Sequence, residues 1–244
     1  MANASTAAGT LRILYEDDWL LAVDKPAGII VHGDGTGTRT LTDHVRAYVA
    51  EQRGAAAVAE LQALQRLDRD TTGVVLFSLS KRTQAAFDRL IAMRAIQKRY
   101  LAIACGRTPA TQTMQQPLGR DRHDSRRMRV SRTGKPAHTE AVRLACAQAR
   151  GAVYSLLSVD LHTGRKHQIR VHLAHAGFPL VGDTLYGGPS ARAGLMLHAS
   201  ELSFTHPVTD EPVRIRAPWP ARFDAWFSEA QAGLRQAGAR QTAE

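Results

Sequence analysis

Residues 64–79 read LQRLDRDTTGVVLFSL. The stretch opens on alternating charge, with Arg66, Asp68, Arg69 and Asp70 inside five residues. Thr71, Thr72 and Gly73 follow, and then the apolar, β-branched run Val74-Val75-Leu76-Phe77. An apolar run flanked by turn chemistry predicts a buried strand. The charged residues therefore form a loop at the mouth of a core strand, and loops on rigid scaffolds are where chemistry concentrates. Taken alone, the same residues would also suit a solvated turn with an incidental Arg/Asp pair.

The whole chain sets the terms for choosing. At 244 residues with 44% hydrophobic content it can bury a core, which excludes global disorder. Lys and Arg outnumber Asp and Glu by 32 to 22, a formal charge of +10. A balance that basic suits a polyanionic partner. Cys105 and Cys146 each lie amid apolar residues. They make neither a disulfide framework nor a CxxC site and fit a reducing cytoplasm. The opening MANASTAAGT lacks the basic and apolar regions of a secretory signal and is expected to be a disordered tail. No window approaches about 18 uninterrupted apolar residues, so no membrane span is expected.

Outward from the opening stretch, LRIL and WLLAV predict two short strands around the acidic turn 15–18. Asp24-Lys25-Pro26-Ala27-Gly28 breaks the pattern, and Ile29 to His32 resumes an extended run. Gly33, Gly35 and Gly37 lack the Gly-Lys-Ser/Thr ending of a phosphate loop and the order of a dinucleotide fingerprint. Leu41, Val45, Tyr48 and Val49 predict an amphipathic helix ending near Gly54, followed by a connector over 54–60. A second helix is expected from about Lys81 to Arg94, and a strand with a basic, aromatic entrance over 97–104. Residues 120–135 carry Arg120, Arg122, Arg126, Arg127, Arg129, Arg132 and Lys135 against Asp121 and Asp124. That segment reads as a mobile loop or hairpin contacting phosphates. Strands are expected over 140–147, 153–161, 195–204 and 213–215. A helix from His167 to Ala176 carries Thr163 as a plausible N-cap and Gly177 as its stop. A last helix starts near Phe223, with a frayed tail from 229 to 244. Hairpins with a few helices point to an α+β fold.

Three chemistries fall away. His162, His167, His172 and His175 invite a metal, but a helical zinc pair uses i, i+4 spacing with a catalytic Glu, which is absent. Helix packing, capping and phosphate contact fit these histidines better, and no metal site is expected. No GxSxG elbow exists for a serine nucleophile. Both cysteines sit in unactivating apolar surroundings. Carboxylates remain. Asp68 is favoured because flanking Arg66 and Arg69 would keep it ionised and nucleophilic. Asp70, beside Thr71-Thr72, is the rival, and an Asx-type turn would explain it.

Six stretches then occur in a telling order: ILYEDDWLLAVDKPAGIIVH, QRLDRDTTGVVLFSLSK, QKRYLAI, GKPAHTE, LHTGRKHQIRVHLAHAGFPLVGDTLYGG and LHASELSFTHPVTDEPVRIRAP. Together they resemble the RluA-like RNA pseudouridine synthases from about Leu11 to Phe227. The resemblance implies that family's fold: a mixed, mainly antiparallel sheet in two halves flanking an RNA-binding cleft. It implies one catalytic domain over 11–228, with only ten residues before Leu11 and hence no N-terminal S4 domain. Target choice would then rest on the 33–40 loop and the 119–136 segment.

The resemblance also assigns roles. The family's HRLD motif falls on Gln65-Arg66-Leu67-Asp68, making Asp68 the catalytic aspartate and Arg66 a residue that helps displace the target base. KxY puts the active-site tyrosine at Tyr100. TGRxHQ(I/L)R puts the active-site arginine at Arg165, expected to pair with the aspartate. Arg66, Arg69, Lys98, Arg126, Arg127, Arg129, Lys166, His167 and Arg170 are the expected RNA contacts. Isomerisation involves no redox change and loses no group, so no cofactor is implied. The expected partner is rRNA, or tRNA second, and the protein is expected to be a cytoplasmic monomer. One residue departs from the pattern: Gln65 stands where the family usually has histidine. It can hydrogen-bond but cannot carry charge.

Two other classes compete. A non-catalytic RNA-binding or ribosome-assembly factor on the same fold would be expected to lose Asp68, Tyr100 or Arg165, and none is missing. A base-excising glycosidase would need a second positioned carboxylate, for which no candidate presents itself.

Overall fold

The structure is a computed structural model that describes residues 3–6, 9–33, 35, 37–149 and 151–227. In chain order its strands are β1 (Asn3–Thr6), β2 (Gly9–Glu16), β3 (Leu20–Lys25), β4 (Gln62–Ala63), β5 (Thr72–Ser78), β6 (Gln97–Cys105), β7 (Thr111–Met114), β8 (Leu118–Arg120), β9 (Met128–Val130), β10 (Thr139–Ala149), β11 (Ala152–Leu161), β12 (Leu197–Thr205) and β13 (Pro212–Arg216). The α-helices are α1 (Leu41–Arg53), α2 (Lys81–Ala92) and α3 (Gln168–His175). The chain forms two compact units, Met1–Lys98 with Ala199–Ala217, and Arg99–His198 with Pro218–Glu244. No helix among the described residues is long and apolar enough to cross a membrane.

In the first unit the strand order is β1-β2-β3-β5-β12, with β4 also on β5 and β13 on β12. The run Val74–Phe77 is fully buried, as an unbroken apolar strand in the middle of a sheet must be. Leu20, Leu76, Phe87, Ile96, Leu202 and Phe204 build the core around it. The antiparallel register of β3 on β5 sets Leu21 opposite Phe77 and Lys25 opposite Gly73. Gly73 has φ +109°, and a Cβ there would lie 2.1 Å from the Ala199 carbonyl oxygen. Only glycine lets the β12 backbone come that close.

The expected extended run at Ile29–His32 is not a strand. The carbonyls of Ile30 and Val31 instead accept the Leu41 and Thr42 amides at the start of α1. Thr40 caps that helix and shares a reciprocal capping box with Asp43, whose carboxyl is held below its usual range by the Thr40 amide and hydroxyl. The connector over 54–60 closes into a 3₁₀ turn, Ala55–Glu60. Residues 3–6 were expected in a disordered tail, but they pair with β2, from Asn3↔Arg12 to Thr6↔Gly9. Backbone pairing needs no apolar pattern, which is why composition missed it. The expected tail over 229–244 lies outside the described residues.

In the second unit the order is β6-β11-β10-β7, antiparallel throughout, with β8 and β9 forming a separate hairpin. Ile103, Tyr154, Leu156, Val181, Met196 and Phe223 form its main core. A smaller cluster, Leu118, Ala137, Val171 and Tyr186, seats the hairpin against α3. Thr163 does not cap α3. Its hydroxyl accepts the His138 amide and donates to Gln168 Oε1, and the residue at the cap position is His167, in the left-handed region at φ 56°.

Candidate active site

The Asp68 loop is held from behind by a fully buried lysine. Lys25 Nζ donates to the carbonyls of Pro26 (2.8 Å), Ile29 (2.7 Å) and Arg69 (2.8 Å). Burying an ammonium costs several kcal/mol unless hydrogen bonds replace its hydration, and three carbonyl acceptors supply that replacement here. The Gly28 amide adds a second bond to the Arg69 carbonyl (3.0 Å), and the Thr71 amide closes a turn onto the Asp68 carbonyl (3.2 Å). Upstream, Gln65 Nε2 donates to the Val74 carbonyl at 3.1 Å, and Leu67 is buried. The departure at Gln65 thus ties the loop to the strand that follows it. Asp68 is half-buried within this frame, while Asp70 is exposed. Asp70 makes no hydrogen bond among the described residues, so the expected Asx turn does not form. Arg66 and Arg69 are exposed beside it.

Arg165 belongs to the second unit and sits on a turn built around Gln168. That side chain is buried and fully engaged. Its Oε1 accepts from the Thr163 hydroxyl (2.7 Å) and the Arg165 amide (3.1 Å). Its Nε2 donates to the His138 carbonyl and to Thr139 Oγ1, both at 2.9 Å. Arg165 Nε donates to the Pro136 carbonyl at 2.9 Å. Lys166 is exposed on the same turn. On the far face of Thr139, buried His172 bridges Thr139 Oγ1 and the Gln116 carbonyl. Burial lowers its pKa, and the histidine serves packing, as expected.

Tyr100 is buried on β6 opposite Val159. Its neighbour Arg99 grips Asp160 across the strands through two nitrogens, at 2.9 and 3.3 Å, which steadies the strand entrance. Lys98, in the first unit, is half-buried, and burial lowers its pKa.

The basic segment is a hairpin with a docked base. The Met128 amide donates to the Tyr186 hydroxyl (2.9 Å), which also meets His167 Nδ1 (2.7 Å). The Arg127 and Arg170 guanidiniums lie over the Tyr186 ring, 5.5 and 5.0 Å from its centre. Arg120, Arg122, Arg126, Arg127, Arg129, Arg132 and Lys135 are all exposed. Arg126 folds back on Asp124 and holds that carboxyl down to about 2. Two of the expected RNA contacts also have partners within the protein. Arg170 makes a bidentate pair with buried Asp183 at 2.7 and 2.8 Å, and His167 is joined to Tyr186. These bonds engage Arg170 Nε and Nη2 and His167 Nδ1.

Sequence reasoning overlooked Lys25, Gln168 and Tyr186. Lys25 gave no signal, because its partners are main-chain carbonyls. Gln168 and Tyr186 had none beyond the motifs that contain them.

With these positions in hand, comparison with known proteins is informative. The family model described as RNA pseudouridylate synthase matches residues 19–175. The Bacillus subtilis (strain 168) protein named RNA pseudouridine synthase YhcT is 38% identical over 215 residues, covering 87% of this chain and 70% of that protein. The ribosomal large subunit pseudouridine synthase D of Xanthomonas campestris pv. campestris is 37% identical over 246 residues, 94% of this chain and 71% of that one. Among solved structures, human RNA pseudouridylate synthase domain containing 1 superposes with a TM-score of 0.72 at 28% identity, covering 88% of this chain and 87% of that chain.

Proposed function

Because the chain belongs to the RNA pseudouridylate synthase family, we propose that it isomerises uridines in structured RNA to pseudouridine, with Asp68 as the acting carboxylate. The observation that carries the assignment to Asp68 is the buried Lys25 clamp, which ties the carbonyl of the residue directly after a half-buried carboxylate to the Pro26–Ile29 turn. A preorganised acid at the mouth of a core strand is what a reaction centre needs, and an exposed Asp70 is not.

The steps follow from the chemistry of the base. A uridine in folded RNA hides its C1′–N1 bond and must leave the stack, at a cost of ~2–4 kcal/mol. Exposed Arg66, Arg69, Arg126, Arg127, Arg129 and Lys166, with half-buried Lys98, offset that cost by meeting phosphates. Tyr100 offers its ring to the flipped uracil, and its hydroxyl can relay a proton. Arg165 serves the reaction as a guanidinium donor. Asp68 acts on the ribose by attack or by proton abstraction. The C1′–N1 bond breaks, the uracil rotates, and C5 bonds to C1′; C5 gives up its proton and N1 takes one. Atoms and electrons balance without a cofactor. Arg170 and His167 contribute indirectly, by holding Tyr186 under the hairpin.

Ribosomal RNA is the first target class, supported by the relative named for the large ribosomal subunit, and tRNA the second. A cytoplasmic monomer belongs to the same proposal. The test is pseudouridine formation by the purified chain on rRNA and tRNA transcripts, with pseudouridine mapping of a deletion strain beside its parent. Asp68→Asn should cut turnover by at least about 10³-fold while leaving RNA binding within a few-fold. Retained turnover would remove Asp68 from the mechanism. A wild-type chain that binds RNA but isomerises none would favour an RNA-binding factor.

A further inference from the structure

A group of side chains that the isomerisation does not use converges at one end of the β10–β11 hairpin. The register runs Thr139↔Leu161 and Glu140↔Asp160, so position 138 falls opposite 162. The His162 amide does donate to the His138 carbonyl at 3.2 Å. Directly opposed residues share a face, and so do residues two apart on one strand. His138, Glu140 and His162 therefore project to the same side. The two imidazoles stack with centroids 4.3 Å apart and planes 22° apart. Glu140 reaches both: Oε1 lies 3.1 Å from His138 Nε2, and Oε2 lies 3.2 Å from His162 Nε2.

These approaches are short, but they do not satisfy the ring nitrogens. His138 Nε2 is buried and has no hydrogen-bond partner among the described residues. The nearby carboxylate oxygen is close enough but lies off the N–H direction. A buried ring nitrogen left unsatisfied costs about 1–3 kcal/mol, so a group that accepts its lone pair would be welcome there. One ligand atom from each of the three residues falls within a mutual 4.8 Å. Bonds of 2.0–2.1 Å in a tetrahedron place neighbouring ligand atoms about 3.3 Å apart, so a modest closing of the three side chains would bring them to that spacing.

We propose that His138, Glu140 and His162 form a binding site for a divalent transition-metal ion of the zinc class. Two neutral imidazoles and one carboxylate are a ligand set such ions prefer, and three protein ligands leave a fourth position for water. The backbone of one ligand is already held. The His138 amide is held by Thr163 Oγ1 and its carbonyl by Gln168 Nε2, so the strand carrying it is fixed before a metal arrives. A bound ion would clip the start of β10 to the end of β11. Thr163, which follows His162 directly, begins the turn that carries Arg165.

The ligands escape a sequence search because they lie on two strands more than twenty residues apart. They share no helix and no short motif. What the sequence does show is His-Thr-Glu on one strand, which is two ligands on one face at strand spacing.

The test is calorimetric titration of Zn²⁺ into the metal-stripped chain, with thermal unfolding measured in zinc and in chelator, and Co²⁺ as a spectroscopic substitute. One ion should bind per chain, and zinc should raise the melting temperature of the wild type. His162→Ala and Glu140→Gln should each weaken binding by at least about tenfold and abolish both the melting shift and the cobalt spectrum. Both positions are exposed or half-exposed, so each variant should melt with the wild type in chelator; His138→Gln is the third arm should either fail to do so. Absence of binding to the wild type overturns the site, and so does binding that all three substitutions leave unchanged. RNA isomerisation need not be measured, so the outcome is independent of the catalytic proposal.

Discussion

At the scale of single residues, Lys25 has the most leverage on the site without being proposed to touch substrate. Its ammonium replaces hydration with three carbonyls, two from its own turn and one from Arg69, next to Asp68. Removing the charge takes a donor from three carbonyls, of which that of Arg69 keeps its bond from the Gly28 amide. Lys25→Met keeps the volume and deletes only the donor, so it isolates this effect. It should lower unfolding stability by about 1–3 kcal/mol. At temperatures where the variant remains folded, turnover should fall more than RNA affinity, because the loop geometry and not the basic surface has been altered. Urea denaturation and a comparison of kcat with Kd check this. Unchanged stability would mean that the clamp is not what holds the loop. The legibility of this site in the sequence was uneven for a physical reason. Asp68 announced itself through its charged neighbours and the strand after it. Lys25 did not, because its partners are main-chain carbonyls, and carbonyls have no sequence signature.

Among elements, periodicity was a good guide wherever a stretch buries one face. The helix α1 and the strands β3, β5, β10 and β11 lie close to where apolar spacing put them. The failures share a cause: a distant segment decides the outcome. Ile29–His32 is extended in composition, but its carbonyls are taken by the start of α1. The arginine-rich segment lacked periodicity and read only as a loop or hairpin; it is a hairpin, and Tyr186, 58 residues from Met128, seats it. This matters for RNA binding. A docked hairpin presents its arginines with less ordering entropy to lose than a floppy loop would. Replacing Arg126, Arg127 and Arg129 with Gln should weaken RNA binding and lower the slope of log K against log salt by about 2–3. The prediction is checked by binding isotherms across a salt series. Arg126 is the weakest of the three, because it must first leave Asp124. An unchanged slope would remove the hairpin from the phosphate contacts.

For the molecule as a whole, charge and burial pull in opposite directions as the pH falls. The chain carries a formal +10 with its histidines neutral, and it has ten of them. Protonating exposed histidines strengthens attraction to RNA, but it also raises self-repulsion within the fold. Buried histidines add a separate term. Burial first, and then the Arg222 guanidinium, lower the pKa of His198 from 6.5 to about 3. Burial lowers that of His172 as well. A histidine depressed in the folded state is neutral there, while its unfolded counterpart takes up a proton near 6.5. The unfolded chain then binds more protons, so stability is full above that pH and declines as pH falls through the window down to about 3. Between about pH 7 and 5, where most carboxylates stay charged, one such histidine removes about 2 kcal/mol. His198→Gln abolishes that titration while keeping a polar side chain at the position. Denaturant midpoints followed from neutral to mildly acidic pH should therefore fall more steeply for the wild type than for the variant. Parallel lines would show that His198 does not set the acid limit of this fold.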